Sequence, residues 1–341
     1  MPNTQRSAIY VTAPARLHLG FLDLNGSMGR RFGSLGLALD QPVYRLRIAS
    51  ASRLHIQGQD AQRAEHHARK LGQQLGWPSN VHITIEQAIP AHVGLGSGTQ
   101  LALAVGMGIA RFYDIPTTPT AVAHVLGRGA RSGIGIGAFE QGGFIMDGGQ
   151  PITKTQVATP LASLPQTPPI ISRIAFPKNW RVLLIFDRNR QGFSGGTERR
   201  AFTELPIFPE LQAAHLCRLV LMCALPALIE ADFSNFAEAI SELQKAIGDY
   251  FAPVQGGRFT SKAVTAVLDD LVQRKWAGLG QSSWGPTGFV FCKNETEALQ
   301  LRTDLKTRWS TATSLHFVIA KPRNQAAPIE LHRNELQRTL G

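Results

Sequence analysis

Two α+β domains are what this sequence predicts, and three observations carry that expectation. Short runs that alternate apolar and polar side chains, the mark of half-buried strands, recur along the chain. Between them lie segments whose apolar residues stand three and four apart, as on one face of a helix. A proline-dense stretch near the middle separates two such mixtures. With 341 residues there is room for about two domains. A composition of 43% hydrophobic and 17% charged residues is a globular balance that excludes a disordered chain.

In the first half, Ile9-Tyr-Val-Thr12, Arg16-Leu-His-Leu-Gly-Phe-Leu-Asp23 and Tyr44-Arg-Leu-Arg-Ile48 read as strands. Asp60 is placed to cap a helix that carries Ala64, Ala68, Leu71 and Leu75 and stops before Pro78. On that helix His66 and His67 face different directions and are expected to be solvated. Val81-His-Ile-Thr-Ile-Glu86 alternates again, and from Thr99 to Tyr113 the residues Leu101, Ala104, Val105, Gly108, Ile109 and Phe112 fall at helical spacings.

Between Pro151 and Pro177 lie six prolines, a density that opposes both helix and central strand. The boundary is placed there, giving domains of residues 1–165 and 166–341. In the second, Arg181-Val-Leu-Leu-Ile-Phe-Asp187 reads as a buried strand. Phe236, Ile240, Leu243 and Ile247 mark a helix after Ser234, and Val264, Val267, Leu268 and Leu271 mark another. Gly288-Phe-Val-Phe-Cys292, a helix over about 295–308 and Ser314-Leu-His-Phe-Val-Ile-Ala320 complete a split β-α-β arrangement.

Chemistry concentrates at Pro90-Ala-His-Val-Gly-Leu-Gly-Ser-Gly-Thr-Gln100, which joins a strand to a helix. Gly94, Gly96 and Gly98 let backbone approach a ligand, and the helix start offers free amides and a positive dipole end. Gly94, Leu95, Gly96, Ser97, Gly98 and Thr99 are therefore candidate phosphate-binding residues. The loop lacks the Lys-Ser/Thr ending of a P-loop and the glycine order of a dinucleotide fingerprint. A turn that only packs a helix on a sheet is the structural alternative.

The net charge of +11 calls for acidic partners. The basic residues come in dispersed pairs such as Arg30-Arg31, Arg128 with Arg131, Arg188 with Arg190 and Arg199-Arg200, several beside glycines. That favours a phosphorylated small molecule over nucleic acid. Cys217, Cys223 and Cys292 are an odd set without Cys-x-x-Cys spacing, so reduced thiols are expected in place of disulfides or a zinc site. No uninterrupted apolar span of membrane length is read, and a soluble, cytoplasmic protein without a membrane partner is expected. A homodimer stays open.

Four glycine-containing segments stand out: Ala13-Pro-Ala-Arg-Leu-His-Leu-Gly20, Pro90 to Gln100, Arg131-Ser-Gly-Ile-Gly-Ile-Gly137 and Gly280-Gln-Ser-Ser-Trp-Gly-Pro-Thr-Gly288. In order and spacing they resemble the GHMP superfamily of small-molecule kinases and relatives from end to end. The resemblance implies a GHMP-kinase-like two-domain fold: an N-terminal domain with a left-handed β-α-β unit, against the usual right-handed rule, and a ferredoxin-like C-terminal domain. It also makes an ATP-dependent small-molecule kinase an alternative function. Mevalonate-type kinases of the superfamily read Ser-Gly-Ile-Asp in the third segment, where the aspartate helps to activate the attacking hydroxyl. Here the residues are Ser132-Gly133-Ile134-Gly135, and Arg16 stands where many of those kinases carry lysine. Glu140 is the nearby carboxylate left to substitute.

The run from Ala15 to Gly36, with Phe139-Glu-Gln-Gly-Gly143 and Lys321-Pro-Arg-Asn324, resembles more closely the β-ribofuranosylaminobenzene 5′-phosphate synthase family. The resemblance implies condensation of phosphoribosyl pyrophosphate with 4-aminobenzoate, releasing carbon dioxide and pyrophosphate, towards tetrahydromethanopterin. No organic cofactor is implied. Mg²⁺ is expected on the diphosphate, with Asp23, Glu140 and Glu198 as unranked candidate ligands and the metal site otherwise unknown.

Loss of pyrophosphate leaves an oxocarbenium-like carbon that a carboxylate can stabilise, and Asp23 and Glu140 are the candidates. For Asp23 the alternative is a turn residue before Asn25-Gly26. Arg30 or Arg31 is suited to hold the acceptor's carboxylate in a bidentate pair. His18, between Leu17 and Leu19, is either a core histidine or an acid/base and hydrogen-bonding residue. Arg16, Ser132, Gln141, Ser283, Trp284 and Arg323 lie in the segments carrying the resemblance and are candidate substrate-binding residues. Asp187 to Glu198 is a candidate lid.

Overall fold

The computed structural model describes residues 7–152, 167–192 and 204–333. The proposed boundary between residues 165 and 166, and the half of the candidate lid over 193–198 that includes Glu198, lie outside the described residues.

The first sheet is built on a long hairpin of β1 (Ser7–Asp23) and β2 (Arg30–Ser50). Its spatial order is β12 (Ile329–Arg333), β1, β2, β4 (Val81–Gln87), β3 (His55–Gly58). Further along β2, β5 (Phe144–Asp147) and β6 (Gln150–Pro151) pair with it, and β7 (Ile170–Ile174) pairs with β5. β7, within the proline-rich stretch, and β12, beyond it, thus both belong to the first sheet.

What reads as two separate strands before residue 24 is one. Pro14 is accommodated at a register shift between Pro14 and Ala15, the kind of position where a strand tolerates a residue with no N–H. A second shift falls between His18 and Gly20, where Gly20 takes φ +120°. Such a bulge inserts a residue and re-aims its neighbours.

The parallel pair β3 and β4 is joined through α1 (Ala61–Leu75). Asp60 precedes α1 but does not cap it: its φ is +65°, and its carboxylate instead accepts Tyr44 Oη at 2.6 Å and Arg63 Nη1 at 2.9 Å. His67 departs from expectation too. It is buried with Ala64, Ala68 and Leu71 on the face that packs inward, while His66 is exposed. α2 (Ser97–Phe112) follows the glycine loop and packs on β1 and β2, with α3 (Pro119–Val125) and α4 (Ile134–Glu140) beside it.

The second sheet is antiparallel, in the order β11 (Leu315–Ala320), β8 (Arg181–Asp187), β10 (Gly288–Cys292), β9 (Leu279–Gln281). Numbered among themselves these strands run fourth, first, third, second, the ferredoxin-like arrangement the resemblance implies. The buried-strand expectation for Arg181 to Asp187 has a physical basis, because both of its faces are covered. Val182 and Leu184 join the main core, and Leu183 and Ile185 join a second core with α8 (Lys262–Gln273) and α9 (Glu295–Arg308).

Helix α5 (Glu210–Leu219) continues through a π-helical turn, Val220–Ala224, into α6 (Leu225–Ile229). The turn stands just before Pro226, which lacks the donor that regular α-helix needs. The sequence reading found no uninterrupted apolar span of membrane length, yet Glu210–Ile229 is one by length and composition alone. Its Ala213, Leu216, Val220, Ala224 and Leu228 are nonetheless part of the main core.

α7 (Phe233–Gln255) starts two residues earlier than a helix after Ser234, capped by Asp232, whose Oδ1 accepts the Asn235 amide at 3.2 Å. It packs on both β9 and β1. With Phe144, Phe176, Trp180 and Phe291 around Phe236, one continuous core joins the two sheets.

Candidate functional site

The glycine loop is fixed to the C-terminal half by backbone contact. A Cβ on Gly94 would lie 2.2 Å from Ser282 O, and one on Gly285 would lie 2.3 Å from Gly94 N. Gly192 closes over both, since a Cβ there would stand 2.5 Å from Trp284 O. Its amide donates to His92 O at 2.7 Å. Gly94 therefore serves interlocking of chain segments and not approach of a ligand, a correction to the sequence expectation for that glycine.

Ser282 is the centre of the joint. Its Oγ donates to Gly94 O at 2.8 Å and accepts the His18 amide at 3.1 Å, while the Ser283 amide donates to His18 O at 3.0 Å. Ser283 sits at φ +55°, a left-handed conformation kept for a non-glycine residue by these bonds.

Beyond Gly94 the loop opens. Gly96 has φ +81° and precedes α2; the amides of Thr99 and Gln100 close on its carbonyl, and no side chain caps the helix. The first amides of α2 are thus presented to an incoming anion, reinforced by the helix dipole. Arg16 lies along this opening, with its Nε 3.2 Å from the Cβ position of Gly96 and its Nη1 donating to Gly94 O. Arg63 and Arg128 stand at Gly98, where a Cβ would meet Arg128 Nη1 at 3.2 Å and Arg63 Nη2 at 3.5 Å. Three guanidinium groups therefore border three residues of loop.

His18 lies on the other side of the Ser282 joint, in a cavity lined by Gly20, Phe21, Gln244, Ile247, Phe251, Arg258, Phe259, Gln281, Ser283 and Trp284. Its ring meets Phe21 at 4.9 Å, and Phe251 meets Trp284 at 4.3 Å between centroids. Burial, with the positive charges of Arg16 and Arg131, lowers the His18 pKa from 6.5 to about 3. The ring is neutral at pH 7. Its Nδ1 accepts the Gly20 amide at 3.3 Å, which places the proton on Nε2 and makes that atom a donor. A hydrogen-bonding role fits these facts and a proton-shuttling one does not.

The remaining expected residues are dispersed. Asp23 Oδ1 accepts the amides of Asn25 and Gly26 at 2.8 and 2.9 Å, so it builds the turn of the hairpin. Arg30 donates to Gly148 O and Gly149 O at 2.8 and 2.7 Å; Arg31 donates to Leu24 O at 2.9 Å and lies over Phe32. Both guanidinium groups are occupied with backbone. Ser132 hydrogen-bonds to Ser34 Oγ at 2.8 Å and Asp147 at 3.1 Å. Asp147, which the sequence reading missed, is fully buried and also accepts the amides of Gly133 and Gly149 at 2.9 and 3.0 Å.

Glu140, Gln141 and Arg323 gather at the C-terminal end of α4, where the Gly143 amide donates to Arg323 O at 2.7 Å. Thr99 touches the other end of that helix, about 10 Å away along seven residues. The structure brings together Arg16, His18, Ser283, Trp284 and the glycine loop, and leaves Asp23, Glu140, Arg30, Arg31, Ser132, Gln141 and Arg323 in other settings.

Gly135 carries a further point. A Cβ there would stand 3.1 Å from Thr99 Cγ2, and Gln100 Nε2 donates to its carbonyl at 2.7 Å. The position compared above with the aspartate of mevalonate-type kinases is uncharged here, and a side chain on it would crowd Thr99.

For Mg²⁺, the described residues contain no group of three or more His, Cys, Asp or Glu side chains placed to share an ion. Asp23 is committed to its turn, Asp147 is sealed in its donor network and Glu140 is remote from the loop. These residues do not fit a resident metal.

A two-sheet fold in which a glycine loop opens the central helix is that of a GHMP-type enzyme. Models of the GHMP kinases N terminal domain and GHMP kinases C terminal domain match residues 62–147 and 224–311. Solved structures agree in fold: homoserine kinase from Cytophaga hutchinsonii (TM-score 0.60, 14% identity, 95% of this chain and 97% of that one) and mevalonate-3-kinase from Thermoplasma acidophilum (TM-score 0.61, 12% identity, 96% and 99%). Nearer in sequence are proteins named beta-ribofuranosylphenol 5'-phosphate synthase. That of Archaeoglobus fulgidus is 31% identical over 93% of this chain and 98% of its own length, and that of Methanocaldococcus jannaschii 35% identical over 82% and 88%. The chain belongs to the beta-ribofuranosylphenol 5'-phosphate synthase family of the GHMP superfamily.

Proposed function

We propose that this enzyme joins the ribose carbon of phosphoribosyl pyrophosphate to the ring of a para-substituted benzoate, with loss of pyrophosphate and carbon dioxide. One observation carries the reading: a cation-bordered glycine loop and an aromatic-lined cavity share the Ser282 joint, which bonds Gly94 of the loop and the amide of His18, whose side chain lines the cavity. The loop suits phosphate and the cavity suits an aromatic ring, and the reaction needs the two side by side.

In the proposed reaction the bond from ribose C1 to the diphosphate oxygen breaks, and pyrophosphate leaves with the electron pair. The ring carbon bearing the carboxylate bonds to C1. The bond from that ring carbon to the carboxyl group then breaks, its electrons restore the aromatic ring, and carbon dioxide departs. Arg16 and the first amides of α2 neutralise charge on the leaving group. Phe21, Phe251 and Trp284 hold the ring, and His18 Nε2 donates a hydrogen bond without changing its charge. No step is assigned to a metal.

The relatives' name specifies a phenol, whereas the sequence resemblance suggested an aminobenzene. These products correspond to 4-hydroxybenzoate and 4-aminobenzoate as acceptors. Release of labelled carbon dioxide from each carboxyl-labelled acid, with phosphoribosyl pyrophosphate and Mg²⁺ present, tests the reaction and selects the acceptor. Release from at least one acid is expected; folded enzyme that releases none from either, or that makes ADP from ATP and a small alcohol, contradicts the proposal.

A further inference from the structure

Arg63 and Arg128 bring two guanidinium groups to one place beside the glycine loop. Arg63 is held from behind: its Nη1 binds Asp60 at 2.9 Å, and Asp60 is fixed by Tyr44 at 2.6 Å. Arg128 has no such anchor among the described residues, and its Nε is buried without a hydrogen-bond partner. Both groups reach the same spot beside Gly98, at the positive end of α2. Two like charges there repel each other and the helix end, and burial together with Arg63 lowers the pKa of Arg128.

His67 adds an independent sign of an unmet partner. It stands four residues after Arg63 on the same face of α1, is 3% exposed, and neither ring nitrogen finds a hydrogen-bond partner among the described residues. Buried polar groups left without partners are costly, and in native structures they call for a specific explanation.

We propose that Arg63 and Arg128 form a separate subsite for the outer phosphate of a diphosphate whose inner phosphate lies at Gly96 and Arg16. Gly96 and Gly98 are two residues apart, at most about 7.6 Å between Cα atoms. One diphosphate group is long enough to bridge Arg16 at Gly96 and the arginine pair at Gly98. The subsite deepens the phosphoribosyl reading and rests on it only for the identity of the whole substrate.

The test uses inorganic pyrophosphate and orthophosphate in calorimetric titrations of the full chain, without acceptor or turnover. Arg63→Gln and Arg128→Gln are each expected to weaken pyrophosphate about tenfold or more, the scale of a lost charge-assisted hydrogen bond, and orthophosphate less than about threefold. Unchanged pyrophosphate affinity, or equal weakening of both anions, overturns the subsite. If the glutamine variants do not fold, Arg63→Lys and Arg128→Lys retain charge but lose the guanidinium fork; a selective loss for pyrophosphate again supports the subsite and no loss overturns it.

Competition then separates the sources of the diphosphate. Displacement of bound pyrophosphate by phosphoribosyl pyrophosphate supports the subsite in its proposed reaction. Displacement by ATP alone keeps the subsite and removes the synthase reading, and displacement by neither overturns the subsite.

Discussion

Gly94 and Gly285 meet backbone to backbone, so closely that a Cβ on Gly285 would stand 2.3 Å from the Gly94 amide nitrogen. That contact sets the glycine loop against the wall of the aromatic cavity. Neither main chain can retreat without disturbing Ser282, which bonds to both Gly94 and His18.

Gly285→Ala is therefore expected to destabilise the protein by about 1–3 kcal/mol or more, the range for overpacking at a closed contact. Urea unfolding checks this. An unchanged midpoint and slope would show that the two segments separate easily.

Arg16 borders the Gly96 opening with its guanidinium, and Arg16→Met removes that charge. The affinity for phosphoribosyl pyrophosphate is expected to fall about 10- to 100-fold, corresponding to about 1.5–3 kcal/mol for a hydrogen bond to a charged group. The acceptor KM should change little. Titration of the substrate into both proteins decides; equal affinities would place the substrate elsewhere.

Two buried histidines make the fold sensitive to acid. Burial first, then neighbouring positive charge, lowers both pKa values from 6.5 to about 3: Arg16 and Arg131 act on His18, and Arg128, His66, Arg63 and Lys70 act on His67. Between pH 6.5 and about 3 the unfolded chain binds protons at these sites and the folded chain does not. Stability is thus fully present above pH 6.5 and falls as pH drops through that window, by up to about 1.4 kcal/mol per pH unit for each histidine. His67→Gln should flatten the curve of unfolding free energy against pH. Parallel curves for the variant and the parent would contradict the assignment.

The cavity predicts a separable effect. Ile247 forms part of its wall next to Gly20, and Ile247→Phe narrows it. The acceptor KM is expected to rise about tenfold or more, for a loss of about 1.4 kcal/mol, with pyrophosphate affinity unchanged. Steady-state kinetics with each substrate varied in turn checks this, and an unchanged acceptor KM would place the ring outside the cavity.

How much of this was legible in the sequence depends on the range of the contacts involved. Apolar patterning located the strand of Val81, the helix of Leu101 and the buried strand of Val182, because those patterns are local. The glycine-led start of α2 at Gly96 and Gly98 was local too. The partners of those glycines were not, since Arg63 comes from α1 and Arg128 from the loop after α3, and they meet only in the folded chain. Asp60 looked like a cap, and tertiary bonds to Tyr44 and Arg63 took its carboxylate instead. Arg30 and Arg31 looked like ligands for an acid because their glycine neighbours suggested an open loop, yet main-chain carbonyls claim them. Gly94 looked like Gly96, and only the proximity of Gly285 distinguishes it.

The central claim is that a carbon–carbon bond forms between ribose and ring at the carbon that loses its carboxylate. Phosphoribosyl pyrophosphate labelled with ¹³C at ribose C1 and an acceptor labelled with ¹³C at the carboxyl-bearing ring carbon give a product whose NMR spectrum reports that bond. The account predicts a one-bond coupling between the two labels. A ribosylated product without that coupling, joined through nitrogen or oxygen, would contradict it.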